Sequence, residues 1–316
     1  MQKEIVITSA LRTAVGSLGK TLKNIDAFNL GAEVITNLIK NSNFAEKEVD
    51  EVIMGQVLTG GTGQNPARQA SIKSGIPKEK PAYIVNQVCG SGIRSIVSGF
   101  QSIRSGDSKI VIAGGQENMS LAPHAIHLRD GKKLGDAELM DTMIKDGLWD
   151  AFHGYHMGVT AENVAEKFQI TRDEQDKFAL NSQEKALKAQ KENKFKEEIV
   201  NLKIKSKKDE QDFNKDEHPR EGINLEALSK LKPVFKKNGT VTAGNSSGIN
   251  DGAAAVVLMS SEEAKKRNLE KLVSIKSWAS CGVDPSLMGT GPIPSSKKAL
   301  ELAGWSIKDV DLFEIN

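Results

Sequence analysis

The chain contains few of the residues that would place it in several large classes of protein. Only two cysteines occur among its 316 residues, so no disulfide framework is expected, and their spacing matches no metal site. Aromatic residues make up 5% and the net charge is +2, which does not favour nucleic-acid binding. No apolar run reaches the about 18 residues of a membrane span, and the N-terminus lacks the pattern of a signal or transit peptide. We therefore expect a soluble, cytoplasmic α/β protein with no nucleic-acid or membrane partner.

Strand-like and helix-like patterns alternate at both ends of the chain, which predicts a parallel sheet with helices on its faces. The alternation breaks between residues 119 and 248, where a hairpin turn signal at Asp130-Gly131 and a run of mixed charges at 194–215 occur. We predict a first half formed by residues 1–118 plus 249–270. The remaining parts are an inserted loop domain at 119–248 and the start of a second half at 271–316.

A short internal repeat supports this division. Residues 48–54 resemble residues 309–315, and each segment follows a strand, a helix and a linker. Strands are expected at 272–280 and 310–315. If the repeat is real, the second half stops at Asn316 before its equivalent of the turn around Cys89, so we expect a truncated chain.

Cys89 lies where a strand-like run would turn into a helix, in the segment Asn86-Gln87-Val88-Cys89-Gly90-Ser91-Gly92. The unpaired N–H groups and the positive end of the dipole at a helix N-terminus favour a thiolate, which is the nucleophilic form of cysteine. A free cysteine is more often a small buried apolar residue. The local sequence alone leaves both interpretations open.

Several blocks, taken together and in order, resemble the thiolases, and most closely their biosynthetic acetyl-CoA acetyltransferase branch. Any one block is weak evidence, but together they span essentially the whole chain. They are residues 12–16 (RTAVG), 86–92 (NQVCGSG), 114–120 (GGQENMS), 156–162 (HMGVTAE), 216–220 (DEHPR), 242–253 (TAGNSSGINDGA), 289–294 (GTGPIP) and 311–316 (DLFEIN).

The resemblance implies a layered α-β-α-β-α fold of two similar halves with an inserted loop domain, the second half being incomplete here. It also implies reversible Claisen condensation of two acetyl-CoA to acetoacetyl-CoA and CoA through an acyl-cysteine. No cofactor or metal is implied, because the coenzyme A thioesters are substrates. A homodimer or a dimer of dimers is expected.

The resemblance assigns catalytic roles to two residues: Cys89 would carry the acyl group, and Asn316 would hold a water at an oxyanion site. It places the CoA and acyl groups beside a further set: Leu148, His156, Met157, Arg220, Phe235, Ala243, Ser247, Gly248 and Met288. Phe235 and Leu148 would serve equally well as core residues.

Two blocks of the family do not occur in the sequence: the Gly-His-Pro block that supplies a general base, and the Cys-x-Gly-x-Gly block that supplies a second cysteine. We therefore expect impaired activity. The alternatives are a non-catalytic CoA-binding thiolase remnant, a ketoacyl-synthase-like condensing enzyme, and a degradative long-chain thiolase.

Overall fold

A computed structural model describes residues 3–205 and 209–316. Residues 206–208 of the charged run lie outside the described residues. The chain forms two compact units. The first consists of Met1–Gly147, Ala189–Pro219 and Gly248–Ser274, and the second of Leu148–Lys188, Arg220–Ser247 and Ile275–Asn316.

Strands and helices are numbered here in chain order. Strands β1 to β14 are Ile5–Thr13, Gly16–Ser17, Glu51–Gly55, Ala82–Val85, Ile110–Asn118, His124–Ala125, Met140–Asp141, Trp149–Asp150, Tyr155–His156, Ile199–Val200, Leu202–Lys205, Glu210–Phe213, Asn250–Ser260 and Val273–Ser274. Helices α1 to α8 are Ala27–Lys40, Pro66–Lys73, Ser91–Ser105, Met157–Phe168, Arg172–Lys191, Leu225–Ser229, Ser261–Lys266 and Pro292–Ala303. Short 3-10 turns are Glu46–Glu48, Met119–Leu121, Pro285–Thr290 and Ile307–Asp309, and a π-helical turn is Met143–Leu148.

The first unit is built on a mixed sheet with the strand order β10-β1-β13-β5-β3-β4. Strand β3 runs parallel to β4 and β5, as expected, but β13 runs antiparallel to both β1 and β5. The prediction of a parallel sheet is therefore wrong for β13. This strand follows a long segment instead of a short helical crossover, so the handedness rule for parallel connections does not fix its direction.

Parts of the segment predicted as an inserted domain belong to the first unit. Strand β10 pairs with β1, bringing Ile199 opposite Arg12. The Arg12 guanidinium forms ion pairs with Glu198 and Asp216, both at 2.7 Å. These contacts tie residues 189–219 to β1, and the grouping differs in this respect from the division predicted at 119–248.

The last segment contains less regular structure than its sequence predicts. Of the strand expected at 272–280, only Val273–Ser274 forms, and it pairs with β1. The strand expected at 310–315 is absent, and Leu312 and Ile315 are exposed there. A strand needs a neighbour for its N–H and C=O groups, and no strand of the described chain pairs with this segment.

The internal repeat has a structural counterpart that the sequence did not predict. In each copy a 3-10 turn is closed by a carboxylate that accepts from a backbone N–H three residues earlier. Glu48 accepts from the N–H of Ala45 and Asp309 from that of Ser306, both at 2.8 Å. The same pairs of residues also form the reverse bonds between backbone groups. The turn is therefore conserved between the copies, although the second lacks the strand that follows the first.

Candidate active site

Cys89 lies in a tight turn between β4 and α3. Val88 has a φ of 48°, which is strained for a β-branched residue. Its N–H donates to Asn86 at 2.9 Å. The Ser91 hydroxyl accepts from the N–H of Gln87 at 2.8 Å and donates to the Val88 carbonyl at 2.6 Å. These bonds hold the strained backbone, and the thiol is exposed one residue before the N-cap of α3.

Close packing fixes the start of α3 against the sheet. A Cβ at Gly55, the last residue of β3, would lie 2.4 Å from the backbone carbon of Ser91. The Ser95 hydroxyl, in the next turn of α3, donates to the Gly114 carbonyl of β5 at 2.6 Å. The position of Cys89 is thus set by backbone contacts of a buried sheet.

In the second unit, a short hairpin leads into α4. Strand β8 pairs with β9, bringing Trp149 opposite His156. The buried Asp150 accepts from the N–H of Phe152 at 2.9 Å, and its other oxygen lies 2.7 Å from Nδ1 of His153. Asp150 therefore closes the hairpin turn and fixes the strand that carries His156.

His156 is the N-cap of α4, and its ring is held on two sides. Nδ1 accepts from the N–H of Gly158 at 3.0 Å. The imidazole stacks on Phe235 with ring centroids 4.7 Å apart and an interplanar angle of 16°. Because Nδ1 accepts, the proton of the neutral ring is on Nε2, which leaves one N–H donor for a ligand.

Burial lowers the pKa of His156 below its ordinary value of 6.5. The stability gained from the neutral ring should be present above pH 6.5 and lost as the pH falls through the lower pKa of the folded state. We expect an NMR titration of the native protein to give a His156 midpoint below 6.5. The urea-unfolded protein is the control and should titrate near the ordinary value. A native midpoint at or above that value would contradict the burial of this ring.

Two buried carboxylates organise the loop at 239–247. Glu162 of α4 accepts from the N–H groups of Thr240 at 2.9 Å and Val241 at 2.8 Å, and from the Thr240 hydroxyl at 3.0 Å. Asp176 of α5 accepts from the Asn245 amide at 3.0 Å. The same amide also donates to the Thr240 carbonyl at 3.0 Å. These hydrogen bonds hold the loop in place. Ala243 and Ser247 lie on this loop and are exposed.

The remaining predicted residues are distributed over both units. Gly248 belongs to the first unit, as does Cys89, and it lies beside the His218 ring. The others belong to the second unit: Leu148 ends the π-helical turn, Met157 begins α4, Met288 is in a 3-10 turn, and Arg220 and Asn316 are exposed.

Among the second-unit residues, contacts join two groups of site residues to α4. His156 and Phe235 are in direct contact, and Met157 follows His156 along the chain. The turn that carries Met288 is bonded to α4 through the Asn163 amide, which donates to the Ser286 carbonyl at 3.1 Å.

Sequence reasoning missed Gly158, Glu162 and Asp176. The first two lie in a block that resembles the thiolases, whereas Asp176 has no sequence signal.

Cavities occur in both units. One, of about 200 Å³ in the first unit, is lined in part by Asp26, Gln56 and Asn118. The other, of about 310 Å³ in the second unit, lies between α4 and the loop around Gly239. None of the predicted site residues lines either cavity. Volume alone therefore does not locate the site.

Comparison with known proteins identifies the family. The family model "Thiolase, N-terminal domain" matches residues 5–262, and "Thiolase, C-terminal domain" matches residues 269–316. The chain belongs to the thiolase family. The ketoacyl-synthase-like alternative finds no support in these matches.

Named thiolases share most of the sequence. An acetyl-CoA acetyltransferase of Rhizobium meliloti (strain 1021) is 56% identical over 312 residues, which cover 99% of this chain and 79% of the relative. The cytosolic acetyl-CoA acetyltransferase of Rattus norvegicus is 53% identical over 314 residues, with the same coverage.

The crystal structure of the Bacillus anthracis acetyl-CoA acetyltransferase superposes with a TM-score of 0.96 at 43% identity. The superposition covers 98% of this chain and 79% of that one. The predicted thiolase fold is thus confirmed. These matches to other thiolases do not bear out the impaired activity expected from the sequence.

Proposed function

We propose that this thiolase is an acetyl-CoA C-acetyltransferase that condenses two acetyl-CoA reversibly to acetoacetyl-CoA and CoA. The observation that carries the proposal is the exposed Cys89 thiol, held by a strained, hydrogen-bonded turn at the start of α3. The names of relatives at 53% to 56% identity support the substrate.

In the first step, the Cys89 thiolate attacks the carbonyl carbon of acetyl-CoA. The bond from that carbon to the CoA sulfur breaks, CoA leaves as a thiolate that takes up a proton, and the acetyl group stays on Sγ. In the second step, the methyl carbon of another acetyl-CoA gives up a proton, which makes up for the one taken up by CoA, and attacks this acetyl group. The bond to Sγ breaks, which restores the thiolate and releases acetoacetyl-CoA. Covalent capture thus replaces one difficult transfer with two easier ones.

Helix α3, which follows Cys89, assists the transfer of the acetyl group. Its N-terminal N–H groups and dipole stabilise negative charge on the oxyanion that develops during acyl transfer. Asn316 is the proposed holder of a water at a second oxyanion position. We assign no resident cofactor or metal, because the thiolate and the thioesters supply the reacting groups.

The second unit supplies residues suited to the CoA arm and a short acyl group. The neutral His156 ring offers its Nε2–H as a single directional donor. Met157 and Phe235 offer apolar surface beside it, and Arg220 offers an exposed charge for phosphate. Leu148, Ala243, Ser247, Gly248 and Met288 complete the proposed substrate contacts.

No helix of the described chain is long and apolar enough to cross a bilayer. We propose a cytoplasmic location.

A direct test is to mix the protein with acetyl-CoA and identify the acetylated residue. We expect a first burst of one CoA per chain, followed by slower release as condensation proceeds, and an acetyl group on the tryptic peptide that contains Cys89. Acetoacetyl-CoA and CoA should be interconverted with acetyl-CoA in the same samples. An unmodified Cys89 in folded protein would refute the enzyme and favour a non-catalytic CoA-binding protein.

We also propose that the chain is a homodimer joined through β4. This strand ends the described strand order of the main sheet, so its outer edge is open for pairing. Next to it, Tyr83, Val88 and Ile93 expose 38%, 48% and 73% of their surface. An apolar group beside an open edge is a suitable surface for a second copy of the chain.

Replacing Ile93 with aspartate should weaken this dimer by at least about 30-fold, the effect of losing about 2 kcal/mol at a central contact. Light scattering across a dilution series measures the change. The control is Phe178→Asp, an equally drastic change at a residue of α5 that is 77% exposed. Equal dissociation of both variants, or a monomeric parent protein, would contradict the proposed interface.

A further inference from the structure

Gly158 occupies a position where the backbone does not require glycine. It is the second residue of α4, it is buried, and its φ lies outside the left-handed region. In such a position alanine favours a helix more than glycine does. The residue must therefore be small for another reason.

The reason lies in the space above Gly158. A Cβ on this residue would lie 2.2 Å from both Cδ2 and Cε2 of Phe235 and 2.4 Å from Cγ. These atoms belong to a rigid ring that also stacks on His156. The ring cannot stay on His156 if the helix carries a side chain here.

Gly158 thus acts on His156 in two ways. Its N–H donates to Nδ1, and its missing side chain lets Phe235 lie against the imidazole. The hydrogen bond selects the tautomer with the proton on Nε2, and the stack limits rotation of the ring and its access to water.

We propose that Gly158 is a positioning residue that keeps His156 neutral, in a single tautomer and in one orientation, with its Nε2–H directed at the substrate. This assignment rests on the proposed function only for the identity of the ligand. The state of the imidazole can be measured without turnover.

The test uses Gly158→Ala in the full chain, with ¹⁵N-labelled histidine. In the parent protein the His156 nitrogens should show one tautomer, with Nδ1 unprotonated and Nε2 protonated. In the variant we expect a mixture of tautomers and a titration midpoint shifted towards the ordinary value for histidine. The apparent affinity for acetyl-CoA should fall by at least about tenfold, whereas Cys89 should still become acetylated at saturating substrate.

Gly282→Ala is the matched control, because a Cβ there meets no atom within 4 Å and its φ is not left-handed. It should leave the tautomer and the affinity unchanged. The double variant Gly158→Ala, Phe235→Ala should bind acetyl-CoA with the same affinity as Phe235→Ala alone, because removing the ring removes the steric conflict. Additive losses would overturn the proposed route through Phe235.

A Gly158→Ala protein that keeps the parent tautomer and midpoint would overturn the proposal. If that variant does not fold, Phe235→Leu decides: an unchanged His156 titration midpoint would overturn the proposal equally. A chain that shows the expected histidine spectra but never acetylates Cys89 would refute the proposed function and leave the positioning role intact.

Discussion

Cys89→Ala should abolish acyl transfer, with a loss of at least about 10⁴-fold in thiolysis of acetoacetyl-CoA, because removing a nucleophile leaves only binding and oxyanion stabilisation. The folded structure should be unaffected, since the thiol is exposed and the turn is held by Asn86 and Ser91. Intact mass spectrometry after incubation with acetyl-CoA should show no acetylated protein.

Cys281→Ala is the control for this change. Cys281 is the other cysteine of the sequence and is partly buried. Its replacement should leave both the rate and the acetylated peptide unchanged. A Cys89→Ala protein that still forms a stable acetyl adduct would show that another residue carries the acyl group. Cys89→Ser is a useful intermediate, because a hydroxyl keeps the geometry but is a much weaker nucleophile.

Glu162→Ala should lower the free energy of unfolding by about 3 kcal/mol, on the basis of about 1–3 kcal/mol for each buried polar group left unpaired. The carboxylate accepts from two backbone N–H groups and one hydroxyl of the loop at 239–247, and its removal leaves those donors without a partner. Urea denaturation monitored by circular dichroism measures the loss. The affinity for acetyl-CoA should also fall, because this loop carries Ala243 and Ser247.

Glu166→Ala tests the same helix one turn later. Glu166 is 76% exposed and forms a surface ion pair with Lys236 at 3.3 Å, so its loss should cost less than about 1 kcal/mol. Glu162→Gln should lower the free energy of unfolding by an amount between those of Glu162→Ala and Glu166→Ala. One oxygen of the amide remains an acceptor, whereas its nitrogen faces a donor. Equal stability of the Glu162 and Glu166 variants would show that the loop does not depend on the buried carboxylate.

Much of the first unit could be predicted from local patterns. The alternating strand-like and helix-like patterns at the N-terminal end correspond to β1, α1, β3, α2, α3 and β5, because each buries one face or both. Serine is a residue type favoured at the N-cap of a helix, and the Ser260 hydroxyl accepts from the Glu263 N–H of α7 at 3.1 Å. The direction of β13 could not be predicted, because it depends on which neighbours the strand finds after a long segment.

Only part of the candidate site could be predicted, because some of its contacts join residues that are far apart in the sequence. The turn at Cys89 has a local sequence signal, since small residues follow a strand and begin a helix. Glu162 lies in a block that resembles the thiolases, but its anchoring role does not follow from the local sequence, because its partners lie 78 and 79 residues away. That His156 caps α4 was also hidden, because Ser, Thr, Asp and Asn are the usual residues at that position.

The paired turns before β3 and before residue 310 share a hydrogen-bond pattern that their residue identities do not show. One copy uses Glu48 and Ala45, the other Asp309 and Ser306, yet the same pair of bonds closes both. The same connection between a carboxylate and an amide is therefore made by different side chains in the two copies. A comparison scored on residue identity alone therefore misses this likeness, which the hydrogen-bond pattern shows.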